Sequence, residues 1–189
     1  GMGTFSPSRI YTDELADECM KNIFIPTMNA MNSENRKFKG VLYFGLMKTP
    51  DGVKVIEYNC RFGDPETQVV LPRLESDLFE IFDAVIDERL DEIDIKWNDG
   101  AAVCVVLASG GYPRKYQTGY PIDGLCRAES AGALIFHAGT KADGDKILTS
   151  GGRVLGVTAV GSDLDDAIAA AYGYVDLISF KDMHYRKDI

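Results

Sequence analysis

Val55-Ile56-Glu57-Tyr58-Asn59-Cys60-Arg61-Phe62-Gly63-Asp64-Pro65-Glu66-Thr67 runs as a strand into a break, and the break is charged. Its first half is β-branched or aromatic except at Glu57 and Asn59, a composition that suits a half-buried strand. Side chains on a strand alternate faces with a period of two. Val55, Glu57 and Asn59 therefore fall on one face, and Arg61 joins them if the chain stays extended. Glu57 offers a carboxylate and Asn59 an amide oxygen, both hard donors suited to Mg2+. That ion takes few protein ligands and keeps positions for phosphate oxygens, so two side chains are enough. A guanidinium beside it, from Arg61, can neutralise a transferring phosphoryl group or a developing oxyanion. Gly63 permits an unusual turn. Pro65 fits the first position of a helix, whose N-terminal amides would face an anion. Asp64 and Glu66 read equally as a helix cap with a first-turn acid, or as catalytic carboxylates. Two polar residues on a strand commonly mark a solvated face. The sequel of arginine and Gly-Asp-Pro-Glu sets this pair apart.

Upstream, residues 38–48 read as the partner strand. Thr49-Pro50-Asp51-Gly52 is a turn, because proline presets φ and glycine accepts positive φ. Residues 53–59 return, completing a β-hairpin. Residues 1–7 read as a loop. Thr12 caps a helix whose first acids, Asp13 and Glu14, favour the positive end of its dipole. The helix continues through Leu15, Cys19 and Ile23 until Pro26 kinks or restarts it.

Downstream, Ser76-Asp77 caps a helix with Leu78, Phe82, Val85 and Ile86 on one face, ending near Leu90. The polar stretch 91–100 marks a boundary. Residues 101–108 form a continuous apolar run, the signature of a buried strand. Shorter strands follow at 133–138, 146–149 and 154–160. Ser162 caps a last helix with Leu164, Ile168, Ala171, Tyr172, Val175 and Ile178 on its apolar stripe. The expected class is α+β, with antiparallel pairing and flanking helices, divided into domains 1–97 and 98–189.

The 189 residues carry 29 acids and 20 bases, a net charge of −9. That balance argues against a nucleic-acid surface, which would be basic. It also means that a phosphorylated substrate needs local cations or a metal to reverse the field. No apolar run reaches the ~20 residues of a bilayer span, and no secretory signal pattern opens the chain. Cys19, Cys60, Cys104 and Cys126 form no C-x-x-C pair and read as reduced thiols. Of the two histidines, His137 lies in an apolar run and reads as a core or edge-strand residue. A cytoplasmic location is expected.

The segment Tyr58-Asn59-Cys60-Arg61-Phe62-Gly63-Asp64-Pro65-Glu66-Thr67-Gln68 resembles the signature of the glycinamide ribonucleotide synthetase family of ATP-grasp ligases. The resemblance extends to Lys39-Gly40-Val41-Leu42-Tyr43, Val69-Val70-Leu71-Pro72-Arg73-Leu74 and Ala108-Ser109-Gly110-Gly111-Tyr112-Pro113. It continues in Thr149-Ser150-Gly151-Gly152-Arg153-Val154-Leu155-Gly156-Val157-Thr158-Ala159 and Tyr185-Arg186-Lys187-Asp188-Ile189, and so covers nearly the whole chain. It implies the carboxy-terminal lobe of an ATP-grasp domain followed by a small α+β substrate-side domain. It implies a purine-pathway ligase that joins 5-phosphoribosylamine to glycine through a glycyl phosphate, giving glycinamide ribonucleotide, ADP and phosphate. ATP is then a co-substrate, and Mg2+ or Mn2+ the cofactor. Glu57 and Asn59 match the family's metal-ligand positions. With Arg61 they form the cofactor-binding set, and Arg61 is also the catalytic candidate.

Gly1-Met2-Gly3 resembles the end of a glycine-rich loop close to the substrates; the same residues fit a tag remnant before an initiator methionine. Arg153, by likeness to related purine-pathway enzymes, holds the ribose phosphate; its residue type and place also fit a turn arginine in a salt bridge. The family's amino-terminal domain and the lobe with its ATP-covering loop have no counterpart here, and no G-x-x-x-x-G-K-[ST] segment replaces them. The chain is therefore expected to need those lobes as partners and to be inactive alone. The alternatives are another ATP-grasp carboxylate–amine ligase, or a non-catalytic half domain that binds a nucleotide or phosphosugar.

Overall fold

The computed structural model describes all residues, Gly1–Ile189. In chain order the elements are β1 (Gly3–Ser6), α1 (Asp13–Cys19), α2 (Ile25–Ser33), β2 (Tyr43–Thr49), β3 (Gly52–Asn59), α3 (Thr67–Val70), α4 (Leu78–Ile86), β4 (Ala101–Ala108), α5 (Leu125–Ser130), β5 (Leu134–His137), β6 (Thr140–Asp143), β7 (Lys146–Thr149), β8 (Arg153–Gly161) and α6 (Leu164–Val175). Helices and antiparallel strands are mixed along the chain, an α+β arrangement as expected. The chain forms two compact units. One comprises Gly1–Pro7, Asp64–Leu74 and Trp97–Ile189; the other comprises Ser8–Gly63 and Glu75–Lys96. They are interleaved in sequence, whereas a single cut after residue 97 was expected. The reason is strand pairing: residues 3–6 join β4, a hundred residues away.

In the first unit a four-stranded sheet runs in the order β1-β4-β8-β5, every pair antiparallel. All eight residues of β4 are buried, as the apolar run predicts, because both faces of the strand are covered. Val103, Val105 and Leu107 lie across from Ala159, Val157 and Leu155 of β8. This face packs on Ala167, Ala171 and Val175, which recur every fourth residue on α6. The opposite parity of β4, Ala102 and Cys104, meets Val69 of α3. Asp163, not Ser162, caps α6, its carboxylate accepting from the Asp166 amide at 2.9 Å. The Asp166 carboxylate accepts in turn from the Ser162 amide at 3.1 Å. Asp163 takes the cap because its backbone is the extended one at the helix start, with φ −145° and ψ 179°. β1 corrects the loop expected for residues 1–7. Four residues are too few to show a period, and only the β4 partner makes them a strand.

In the second unit β2 and β3 form the expected hairpin, closed by Gly52 at φ +90°. β2 starts at Tyr43 rather than 38. Lys37 and Lys39 instead pair with Glu88, and Lys39 also reaches the Ile86 carbonyl at 3.0 Å. The two ammonium groups hold the Glu88 carboxyl down to about 2. Thr12 caps α1 by accepting from Leu15 N at 3.3 Å. At Pro26 the helix does not simply kink. A π-helical turn, Met20–Phe24, precedes the proline and takes up the mismatch left by its missing N–H. α4 is capped by Asp77 and stops at Ile86, short of residue 90. Its apolar stripe is only partly covered: Leu78 and Val85 are half-buried, while Phe82 is 40% and Ile86 68% exposed.

Candidate active site

Glu57 and Asn59 share a face of β3. Asn59 Nδ2 donates to Glu57 Oε1 at 3.1 Å. Glu57 is exposed and Asn59 half-buried at the strand's last residue. Gly45 of β2 pairs with Glu57, and a Cβ there would stand 2.9 Å from Glu57 Cγ. The missing side chain lets the glutamate lie across its neighbour. Period-two reasoning could not see this, because Gly45 becomes informative only once its cross-strand partner is known.

Val55 does not share that face. The β2–β3 register shifts so that Gly45 pairs with Glu57 and Leu46 with Val55, leaving Ile56 as the extra residue of a bulge. The alternation slips by one, and Val55 joins Tyr58 and Cys60. These three line a concavity of about 630 Å3 with Ile23, Pro26 and Phe38. The carboxylate–amide pair is thus on the solvated side of the hairpin, away from its apolar side. Strand alternation does not extend to Arg61, and no hydrogen bond joins it to the pair. The strand ends at Asn59, and Arg61 Nη1 donates to the Phe62 carbonyl at 2.8 Å. Gly63 is buried and does not use the left-handed region. Pro65 precedes Glu66, the N-cap of the four-residue α3, so it is not a first helical residue and no long helix N-terminus faces an anion.

The second set of candidates lies in the other unit. Arg153, the first residue of β8, is the hub. Its Nη2 pairs with Asp64 Oδ2 at 2.6 Å. Its Nη1 donates to the Asp64 carbonyl at 3.1 Å and the Gly1 carbonyl at 3.3 Å. Ser109 fixes the turn before it, with Oγ donating to the Gly151 carbonyl at 2.8 Å and N to the Gly152 carbonyl at 2.8 Å. Gly1 and Arg153 are therefore neighbours, 152 positions apart in sequence. The Met2 carbonyl accepts from Val106 N at 3.3 Å. Gly3 opens β1, and a Cβ there would run into the Ile189 side chain. Nearby on the sheet, burial pushes the Cys104 thiol up to about 11.

The donor set at Glu57 and Asn59 fits one small hard cation: one carboxylate and one amide on a single face, open to solvent. No cluster of three His, Cys, Asp or Glu side chains that could hold a metal exists in the chain. A dedicated protein cage is not what the pair offers, and an ion there would keep most of its positions for substrate or water.

This arrangement of hairpin, flanking helices and following sheet is the fold of ATP-grasp enzymes. It recurs in N5-carboxyaminoimidazole ribonucleotide synthetase from Thermotoga maritima, with TM-score 0.61 at 17% identity over 94% of this chain and 45% of that one. The profile of the phosphoribosylglycinamide synthetase ATP-grasp (A) domain matches residues 1–67, and that of the phosphoribosylglycinamide synthetase C domain matches residues 102–189. The chain belongs to the phosphoribosylglycinamide synthetase family. It is 49% identical over its whole length to the phosphoribosylamine–glycine ligase of Synechocystis sp., covering 46% of that protein. It is 47% identical to that of Vibrio cholerae, covering 44%. The crystal structure of phosphoribosylamine–glycine ligase from Thermotoga maritima matches all of it at TM-score 0.81 and 31% identity, over 46% of that chain. The chain thus spans under half the length of the relatives it matches. No helix is long and apolar enough to cross a membrane.

Proposed function

We propose that this chain supplies the metal-binding strand and part of the acceptor site of an ATP-dependent ligase. That ligase joins glycine to 5-phosphoribosylamine and yields glycinamide ribonucleotide, ADP and phosphate. The observation that carries the reading is the Glu57–Asn59 pair, two oxygen-bearing side chains 3.1 Å apart on one open strand face, in a chain of this family.

Glu57 and Asn59 would hold Mg2+ or Mn2+, which supplies charge neutralisation for the phosphates of ATP when bound. Arg61, two residues further on and exposed, adds a positive charge where the transferring phosphoryl group and the acyl oxygen carry negative charge. Glycine's carboxylate attacks the terminal phosphorus of ATP; ADP leaves and glycyl phosphate forms. The amine of phosphoribosylamine attacks the acyl carbon, phosphate leaves, and the amine proton passes to solvent or a neighbouring base. Arg153 contacts the sugar phosphate, and Gly1-Met2-Gly3, tied to it through the Gly1 carbonyl, borders the same place and holds the amine donor. With a net charge of −9, such local cations are what make an anionic substrate tolerable.

By family, residues 1–97 then correspond to the carboxy-terminal part of the ATP-grasp domain and 98–189 to the substrate-side domain, a division along the sequence that the compact units cross because β1 pairs with β4. The amino-terminal lobes of the same enzyme are the partners, and the apolar side chains left in solvent on α4 suit a surface they cover. The location is cytoplasmic. The test is Mn2+ titration of the isotope-labelled chain by NMR. Paramagnetic broadening should centre on the side chains of Glu57 and Asn59 and vanish in the double variant Glu57→Gln, Asn59→Ala. Broadening elsewhere, or none, would remove the chemical basis of the assignment. Mixing the chain alone with ATP, glycine and phosphoribosylamine should give no product.

A further inference from the structure

The reading of Arg153 as a sugar-phosphate contact leaves open why its guanidinium should bond to a carboxylate. We propose that Asp64 is a positioning residue for Arg153, holding the guanidinium so that its remaining N–H edge meets a phosphate monoester. The proposal rests on that reading of Arg153 and goes beyond it.

A guanidinium carries five N–H donors in one plane. Three are taken: one Nη2–H by Asp64 Oδ2 at 2.6 Å, and the two of Nη1 by the Asp64 and Gly1 carbonyls at 3.1 and 3.3 Å. Nε–H and the second Nη2–H remain. Together they make a planar pair of donors with the spacing of two phosphate oxygens. The Arg153 side chain is only 24% exposed, so the guanidinium is partly withdrawn from solvent. Asp64 is held as well, because Gln68 Nε2 donates to its other oxygen at 3.0 Å. The base of Arg153 is fixed by the Ser109 bonds to Gly151 and Gly152. Arginine has many rotamers, and one locked from both ends has less freedom to lose when an anion arrives.

Electrostatics alone predicts the opposite role for Asp64. A carboxylate beside an anion site repels the anion, so its removal would tighten phosphate binding. Positioning predicts that removal weakens it. The two ideas differ in sign, and the chain itself can be made to choose between them.

The probe is ribose 5-phosphate, titrated into the 189-residue chain by calorimetry. Arg153→Gln should abolish saturable binding. Asp64→Asn, which keeps the shape and discards the charge, should weaken binding about tenfold. Asp64→Glu should recover most of the loss. Equal or tighter binding by Asp64→Asn, with Arg153→Gln still dead, overturns the positioning role and leaves the phosphate reading standing. Unchanged binding by Arg153→Gln, or no saturable binding by the original chain, overturns the phosphate reading and this proposal with it. A second measurement needs no variant. On adding ribose 5-phosphate, the Arg153 Nε–H resonance should move while the Asp64 carboxyl carbon stays at its paired position. If that carbon moves to the value of a free aspartate, phosphate has displaced Asp64, and the proposal fails.

Discussion

Replacing Asn59 by aspartate tests the metal reading through its electrostatics. The amide now donates to Glu57 at 3.1 Å. A carboxylate in its place cannot donate, so the hydrogen bond is lost and two like charges stand side by side. Like charges at ~4 Å in water repel by about 1 kcal/mol, less as salt screens them. In a chain of this length that is roughly 2–4 °C in Tm. A divalent cation between the two oxygens reverses the sign, since the second carboxylate now adds attraction. The assay is thermal denaturation followed by circular dichroism at low ionic strength, in EDTA and in a large excess of MgCl2. The Asn59→Asp variant should melt about 2–4 °C below the parent in EDTA and gain more from Mg2+ than the parent does, closing the gap. If both proteins respond equally to Mg2+, the two side chains do not share an ion and the reasoning is wrong.

Three other outcomes are expected. Leu107→Ala empties a fully buried site between β4 and α6 and should cost about 3 kcal/mol, read as a shift of the urea midpoint at unchanged slope. Of the four thiols, exposed Cys60 and Cys126 should react with a disulfide reagent in mildly alkaline buffer, while Cys19 and Cys104 stay protected until the chain unfolds; burial keeps Cys104 protonated up to about pH 11. Glu88→Gln should lower Tm at neutral pH. Because Lys37 and Lys39 depress the folded-state value of Glu88 to about 2, its contribution is present above the ordinary carboxyl range and is lost as pH falls from about 4.5 to 2, so the two melting curves should converge there.

Much of the local structure is legible in the chain itself. Thr49-Pro50-Asp51-Gly52 closes the hairpin because proline and glycine carry their own backbone preferences. Residues 101–108 are buried throughout because nothing in them can face water. Glu57 and Asn59 share a face because they stand two positions apart, with only Tyr58 between them, on a stretch of strand with no irregularity. His137 sits on edge strand β5, exposed, with Nδ1 2.9 Å from Thr140 Oγ1, one of the two places its apolar neighbours allowed.

What failed was reasoning that carried a local rule past a point where a distant partner intervened. Val55 left the Glu57 face because β2 imposes a bulge at Ile56. The alternation could not be carried on to Arg61 because the strand stops at Asn59. The stripe on α4 shares one face as its period requires, yet Ile86 is mostly in solvent and Phe82 meets only Phe62 among the aromatic rings.

Side-chain type and periodicity thus determined the hairpin, the buried strand and the chemistry that Glu57 and Asn59 offer, since each depends on neighbours a few bonds away. Only the tertiary structure joined Gly3–Ser6 to β4 and set Arg153 against Asp64, 89 residues distant. Such contacts depend on which surfaces meet once the core has closed, and no pattern within either segment records its partner.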